Sequence, residues 1–500
     1  MRPLEALLVL ANPLTFFVLA VPRLRAVGWA GASAPLVLLI AGAQVLVEGA
    51  RWQMIPAYAL TGLFFLVWLW RSWAPTGSAA ERDQTTRLTG GLAVGLGVLG
   101  LAISVVLPLV LPVFRFPRPS GPYEIGTLTY HWVDAKRPEV FTADPNAHRE
   151  LMVQIWYPAT GDSTSPRAPY VRDAAALGPA LARLFQVPEF TFGHLRYVAT
   201  NATTAAPMAD DKPNYPILIF LAGLTGFRQL STFQVEELVS HGYVVAAVDQ
   251  PYVAASVVFP DGRQVAGVSK DQMNGLIQQS LSPGERAPVL NGWTLADGIV
   301  PYLARDAIFT LDQLAATNNS DPNGILTGRL DLTRAGTFGV SLGGIVVAEA
   351  CRREPRLRAC LVMDAPMPDA VVQAGLRQPT MWITRDAETM RLERQRAGGW
   401  SEAEIKQHQT TMRAVFEQSL PGNGYFVRVP GMFHANLMDI PYWSPLFSRL
   451  GITGPIDGRR AHAIVNAYAI AFFDQQLKGR PAALLDGLAE HYAEAMLETR

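Results

Sequence analysis

Apolar residues follow two different rhythms along this chain. Up to about residue 115 they run almost without interruption, in four stretches at 4–20, 26–47, 52–70 and 90–114. Each approaches the roughly 20 residues that a helix needs to cross the hydrocarbon of a bilayer, so the pattern predicts four membrane spans. The first is short and interrupted by Asn12-Pro13. It lacks a small-residue cleavage pattern and is followed by further apolar stretches, which separates it from a removable leader. The third closes on Trp68, Trp70 and Trp73 around Arg71, as expected of an interfacial aromatic belt. In the fourth, Gly91 and Gly95 stand at helix-packing spacing, which in so glycine-rich a stretch is commonly incidental.

Residues 116–122 (FPRPSGP) end this regime, because proline and glycine forbid helix continuation. Beyond them the rhythm shortens. Residues 123–133 alternate loosely, and 151–157 form a strand-like run ending at Pro158. Residues 215–220 and 244–248 are short and wholly apolar, the mark of parallel strands buried on both faces. Residues 232–241 suit a helix between them. A second helix is predicted over 305–316, with Ile308, Leu311 and Leu314 on one face. Strands follow at 360–363, 380–383 and 425–429, and a late helix at 461–477. Strands alternating with helices predict an α/β domain with a mostly parallel, covered sheet. The expected organisation is a helical transmembrane region over 1–115, a linker at 116–122 and a catalytic domain over 123–500. Residues from Gly262 to Trp293 lack clear periodicity and read as an insertion, 262–300, placed to cap the active site.

Composition narrows the partners. Forty-two basic residues balance 42 acidic ones, which argues against nucleic-acid binding through a basic surface. Cys351 and Cys360 are the chain's two cysteines, too few for a disulfide framework, and read as buried thiols. No metal-ligand spacing, no phosphate-binding glycine loop and no other cofactor motif is present. Arg23, Arg25, Arg71, Arg82 and Arg87 flank the first and third loops between spans. Basic flanks face the cytoplasm, so both termini and the C-terminal domain are expected outside, although Arg2, Arg115 and Arg118 pull the other way. The sequence says nothing of oligomeric state.

The candidate chemistry centres on residues 337–344, TFGVSLGG. Gly339, Ser341 and Gly343 make a Gly-x-Ser-x-Gly pattern between an apolar stretch and a helix-compatible run. A nucleophilic serine on a strained strand-to-helix turn needs small neighbours, and the following helix aims the Leu342 N–H at a developing oxyanion. Serine needs a base, and the base a carboxylate partner. Of the histidines downstream, His408 lies in a polar helical stretch, His462 in a helix that looks structural, and His491 in the C-terminal tail. His434 follows a strand in a Gly-containing loop, where catalytic side chains gather. For the acid, Asp364 and Asp386 each follow a strand, and spacing does not choose between them; either suits a helix cap equally. Leu224, in the Gly223–Gly226 loop after an earlier strand, suits the second backbone donor.

Several stretches taken together resemble the platelet-activating factor acetylhydrolase family, an α/β-hydrolase fold related to dienelactone hydrolases. They are 151–158 (LMVQIWYP), Gly223-Leu224 with Phe227-Arg228, 244–252 (VVAAVDQPY), the serine motif, Met363-Asp364-Ala365 and 479–487 (GRPAALLDG). The resemblance covers about residues 122–490 and leaves the N-terminal region unexplained. It implies Ser341 as nucleophile, Asp364 as acid and His434 as base, with Leu224 and Leu342 as backbone oxyanion donors. Two departures stand out: Ala222 where the family usually has histidine before the glycine, and Val340 and Leu342 flanking the serine. They bear on substrate identity. The expectation is a membrane-anchored serine hydrolase of carboxylic esters, short-acyl or lipid. Rival readings are a dienelactone-type or polyester hydrolase using Asp386, and a non-catalytic membrane sensor with a hydrolase-like domain.

Overall fold

The computed structural model describes residues 1–21, 24, 30–73, 85–161, 165–486 and 492–500, without the side chains of 30 and 85–90. They form two compact units. One comprises Met1–Phe114 with the short segments Gly193–Leu195 and Trp443–Leu446; the other holds the remainder.

The first unit contains helices α1 (Pro3–Ala20), α2 (Ser33–Glu48), α3 (Ile55–Trp73) and α4 (Thr85–Val110). Among the described residues three segments, Pro3–Ala20, Trp52–Trp73 and Gly91–Val110, are long and apolar enough to cross a membrane. The expected second span is shorter than its apolar run: α2 has 16 residues, about 24 Å at 1.5 Å per residue. The outward side chains of the four helices are apolar, with Leu10, Leu14, Leu39, Leu46, Leu66 and Leu92 more than half exposed. Polar groups lie inside instead. Asn12, which seemed to interrupt the first stretch, is buried, donates to Ala57 O at 3.1 Å and accepts from Thr61 Oγ1 at 3.0 Å. At one end of the unit Arg51 pairs with Glu5 at 2.6 Å and donates to Leu111 O at 2.6 Å. The glycines that pack closely are Gly97 and Gly100, against Phe16 and Leu60, whereas Gly91 and Gly95 face open space.

The second unit is built on one 11-stranded sheet, ordered β15-β14-β13-β12-β11-β5-β6-β2-β1-β4-β3. Its strands are β1 (Glu124–Pro138), β2 (His148–Ala159), β3 (Arg167–Pro169), β4 (Ala199–Thr204), β5 (Tyr215–Leu221), β6 (Val244–Asp249), β11 (Leu330–Val340), β12 (Leu357–Met363), β13 (Thr380–Thr384), β14 (Gly424–Arg428) and β15 (Met496–Thr499). From β6 through β5 and β11 to β14 every neighbour is parallel. Every residue of β5 and β6 is buried, as two-sided helix cover requires. The flanking helices are α5 (Ala174–Leu184), α6 (Thr232–Ser240), α7 (Lys270–Leu281), α8 (Val300–Asn319), α9 (Leu342–Arg353), α10 (Asp369–Ala374), α11 (Ala387–Ala397), α12 (Glu402–Gln418) and α13 (Gly458–Lys478). The stretch read as an insertion is folded: hairpins β7–β8 (Ser256–Val258, Gln264–Ala266) and β9–β10 (Val289–Leu290, Trp293–Thr294) bracket α7. Met273, Leu276 and Ile277 of α7 join the main core. Cys351 and Cys360 are free and buried.

Candidate active site

The parallel strands deliver the predicted residues to one edge of the sheet. Val340 of β11 pairs with Met363 of β12, and Met363 with Ile383 of β13. Ser341 and Asp364, each one residue further on, therefore stand at adjacent strand ends, and Ser341 N–H donates to Met363 O at 2.9 Å. Ser341 adopts φ +59° and ψ −127° as the cap of α9, the strained backbone that lifts a nucleophile clear of a sheet. Its glycines are required by close approach. A Cβ on Gly343 would lie 2.0 Å from Leu221 O, one on Gly339 2.4 Å from Gly343 O, and one on Gly344 2.8 Å from Ala365 Cβ.

On the β5 side, the chain turns through Gly223–Gly226. Gly226 N–H donates to Gly223 O at 2.9 Å, Thr225 takes φ +60°, and its N–H donates to Val253 O at 2.9 Å. Leu224 N–H has no acceptor among the described residues. The turn touches the serine: a Cβ on Gly223 would meet Ser341 Cβ at 2.9 Å and Oγ at 3.4 Å. Leu342 N–H, first in α9, has no acceptor within the helix. Two stretches that looked familiar separately prove to be joined. Arg228 N–H donates to Asp249 Oδ1 at 2.6 Å, and the Arg228 guanidinium pairs with Oδ2. This anchors the turn to the end of β6.

Beyond β14 the chain reaches His434 at the start of a single 3-10 turn, His434–Leu437. His434 Nδ1 lies 2.6 Å from Asp364 Oδ2. Asp364 is fully buried while the imidazole keeps about a quarter of its side chain exposed. Among the described residues no hydrogen bond joins Ser341 Oγ to His434; in unliganded hydrolases this contact is commonly long. Burial alone would raise the Asp364 pKa, yet Arg385 beside it and the hydrogen bonds from His408 and His434 hold it well below the usual carboxylate range. Asp364 is thus an anion suited to orienting an imidazole and stabilising its protonated form.

Asp386 does something else. Its carboxylate accepts from Thr389 N–H at 2.7 Å and Thr389 Oγ1 at 3.1 Å, capping α11. His462 is held by Tyr442 OH and Met438 O, both at 3.0 Å. His491 and Gly487 lie outside the described residues. Sequence reasoning passed over the rest of the carboxylate's surroundings. Thr384 Oγ1 donates to Asp364 Oδ1 at 3.0 Å, Arg385 Nε to Oδ2 at 2.9 Å, and His408 Nε2 stands 3.3 Å from Oδ1. The signal for His408 was present: α12 buries Ile405, His408, Met412, Val415 and Phe416, so the histidine continues an apolar stripe.

A parallel sheet carrying a serine elbow, a strand-end acid and a late histidine defines an α/β-hydrolase. The family model for platelet-activating factor acetylhydrolase, isoform II, matches residues 110–271, a span ending before Ser341. The platelet-activating factor acetylhydrolase of Gallus gallus is 24% identical over 393 residues, 73% of this chain and 84% of that protein. A probable 1-alkyl-2-acetylglycerophosphocholine esterase of Arthroderma benhamiae is 22% identical over 432 residues, 81% of this chain and 99% of that protein. Among solved structures, a ferulic acid esterase from Streptomyces cinnamoneus superposes with a TM-score of 0.57 at 27% identity, covering 78% of this chain and all of that one. The chain is a platelet-activating factor acetylhydrolase-like α/β-hydrolase and a carboxylic ester hydrolase.

Proposed function

We propose that this protein is a membrane-anchored serine esterase whose triad is Ser341, His434 and Asp364 and whose substrates are short-acyl or lipid esters. The observation that carries the reading is the 2.6 Å pairing of His434 Nδ1 with the buried Asp364 carboxylate at the strand ends beside Ser341. In this reading His434 takes the Ser341 proton as Oγ attacks the ester carbonyl, then returns it to the leaving alcohol. Water, activated by the same imidazole, hydrolyses the acyl-enzyme. The N–H groups of Leu224 and Leu342 stabilise the oxyanion, where losing one such donor costs roughly 3–4 kcal/mol. The apolar outer surface of the helical unit supports anchoring, and the fungal relative's name, an acetylated glycerophosphocholine esterase, supports a lipid ester.

Replacing Ser341 with alanine should abolish both turnover of p-nitrophenyl acetate or butyrate and labelling by a fluorophosphonate probe. A variant that still labels would remove Ser341 from the role. In the same assays Asp386→Asn should stay within about threefold of the parent, because asparagine caps a helix about as well as aspartate and no transition-state contact is lost.

A further inference from the structure

One histidine beyond the triad turns its polar edge to the triad carboxylate. His408 is fully buried on α12, and its Nε2 faces the Asp364 carboxylate, at 3.3 Å, and Thr384 Oγ1, at 3.2 Å. Its other nitrogen, Nδ1, has no hydrogen-bond partner among the described residues. His462, also buried, shows what a structural imidazole looks like here, with both nitrogens bonded, to Tyr442 OH and Met438 O. An imidazole with one nitrogen unpaired in a dry interior costs free energy that a leucine of similar size would not.

We propose that His408 is a positioning residue for ester hydrolysis, holding Oδ1 of Asp364 so that Oδ2 stays aimed at His434. The inference deepens the triad reading above and rests on it. The geometry explains why a second imidazole is useful. An arginine that grips a carboxylate bidentately fixes its rotation, but Arg385 reaches Asp364 through Nε, while its Nη1 pairs with Glu393. Control of rotation about the carboxylate's own axis therefore falls to Oδ1. Of the Oδ1 partners, the Thr384 hydroxyl also lies 3.4 Å from Arg385 O and can swing toward it. His408 cannot swing. Its ring is set in the buried face of α12 and against Trp400, with ring centroids 4.6 Å apart. Trp400 also stands 5.8 Å from the His434 ring and under the Arg385 guanidinium at 5.2 Å. The groups facing His408 are thus Asp364, Thr384, Arg385, Trp400 and, across the carboxylate, His434. One indole braces the base, the cation and the second imidazole together.

The test compares His408→Leu, His408→Gln, His408→Asn and Asp364→Asn in the full chain, with p-nitrophenyl butyrate rates normalised to fluorophosphonate-titrated sites. His408→Leu should lower kcat about tenfold with KM nearly unchanged, as expected for a lost hydrogen bond to a charged group that acts in the transition state. The acidic limb of its kcat/KM profile should move to higher pH, since a carboxylate with fewer donors holds the His434 proton more tightly. His408→Gln, whose amide reaches Oδ1, should recover most of kcat, whereas the shorter asparagine should not. Should the leucine variant fail to fold, the glutamine–asparagine contrast decides alone. Equal kcat and an unmoved acidic limb in all folded His408 variants would overturn the proposal and leave His408 a packing residue. Asp364→Asn separates the two levels: loss of several orders of magnitude keeps the triad reading while His408 is judged, and retained activity removes both.

Discussion

At Gly223 and Gly343 the same small side chain serves two different ends, and substitution should separate them. The hydrogen of Gly223 faces Ser341, so a methyl there would stand 2.9 Å from Ser341 Cβ and 3.3 Å from Val340 O, contacts that a shift of the turn by a few tenths of an ångström relieves. The cost falls on aim. Gly223→Ala should fold with little loss of stability but lose roughly 10- to 100-fold in kcat, the scale of a misplaced reacting group. Gly343 faces backbone instead: a methyl would stand 2.0 Å from Leu221 O, which nothing short of separating α9 from β5 accommodates. Gly343→Ala should therefore cost about 3 kcal/mol or more of stability, seen as a lowered thermal midpoint whatever the residual activity. If Gly223→Ala turned over at the parental rate, the Gly223–Gly226 turn would lose its assignment beside the oxyanion. These residues were legible in the sequence because a serine elbow admits few alternatives. Asp364 and Asp386 were not separable, since both end a strand and precede a helix, and the distinction lies in Thr389, whose N–H and hydroxyl claim the second carboxylate.

Among the elements, the wholly apolar strands β5 and β6 were readable because burial on both faces leaves no polar positions to confuse the pattern. Shorter or half-exposed pieces were not. The edge strand β15 is four residues long and mostly solvent-facing, and α7 dilutes its buried Met273, Leu276 and Ile277 among glutamine, serine and asparagine. Nor does the sequence show how α13 meets α6. There His462 stacks on Phe233 with centroids 3.7 Å apart, and its nitrogens bond Tyr442 OH and Met438 O. Burial pushes the His462 pKa down to about 4 from the ordinary 6.5. The sign follows: between those values the unfolded chain binds a proton that the folded one refuses. The stability of this seam is complete above pH 6.5 and drains as pH falls toward 4, by up to about 1.4 kcal/mol per pH unit. Urea titrations at pH 7, 6 and 5, followed by near-ultraviolet circular dichroism, should show a shallower pH slope for His462→Gln than for the parent, by about 1 kcal/mol per pH unit. Parallel slopes would mean that this imidazole is already charged in the folded protein.

For the whole molecule, sidedness is the open physical question, and the helical unit supplies an argument that counting arginines does not. The ends of α1, α2, α3 and α4 that share one face are tied together: Leu4 N–H bonds Glu48 at 2.7 Å, Arg2 pairs with Glu5 and Glu48, and Arg51 joins Glu5 to Leu111 O. At the opposite ends of these helices Arg71 bonds Leu19 O at 2.9 Å; Arg23, Arg25 and Arg82 lie outside the described residues. The Arg51 side chain is 1% exposed and that of Arg2 13% exposed, both against carboxylates. A guanidinium so enclosed does not meet the anionic leaflet whose surface potential attracts basic flanks. Discounting these two leaves Arg115 and Arg118 on this side against Arg23, Arg25, Arg71, Arg82 and Arg87 around the first and third loops, and the positive-inside tendency would keep the more basic side in the cytoplasm. The chain leaves the unit at the other face, after Leu111, so the esterase domain should lie on the extracytoplasmic side. A membrane-impermeant fluorophosphonate should then label Ser341 in intact cells as fully as in opened ones, with Ser341→Ala blank in both. Labelling confined to opened cells would reverse the orientation.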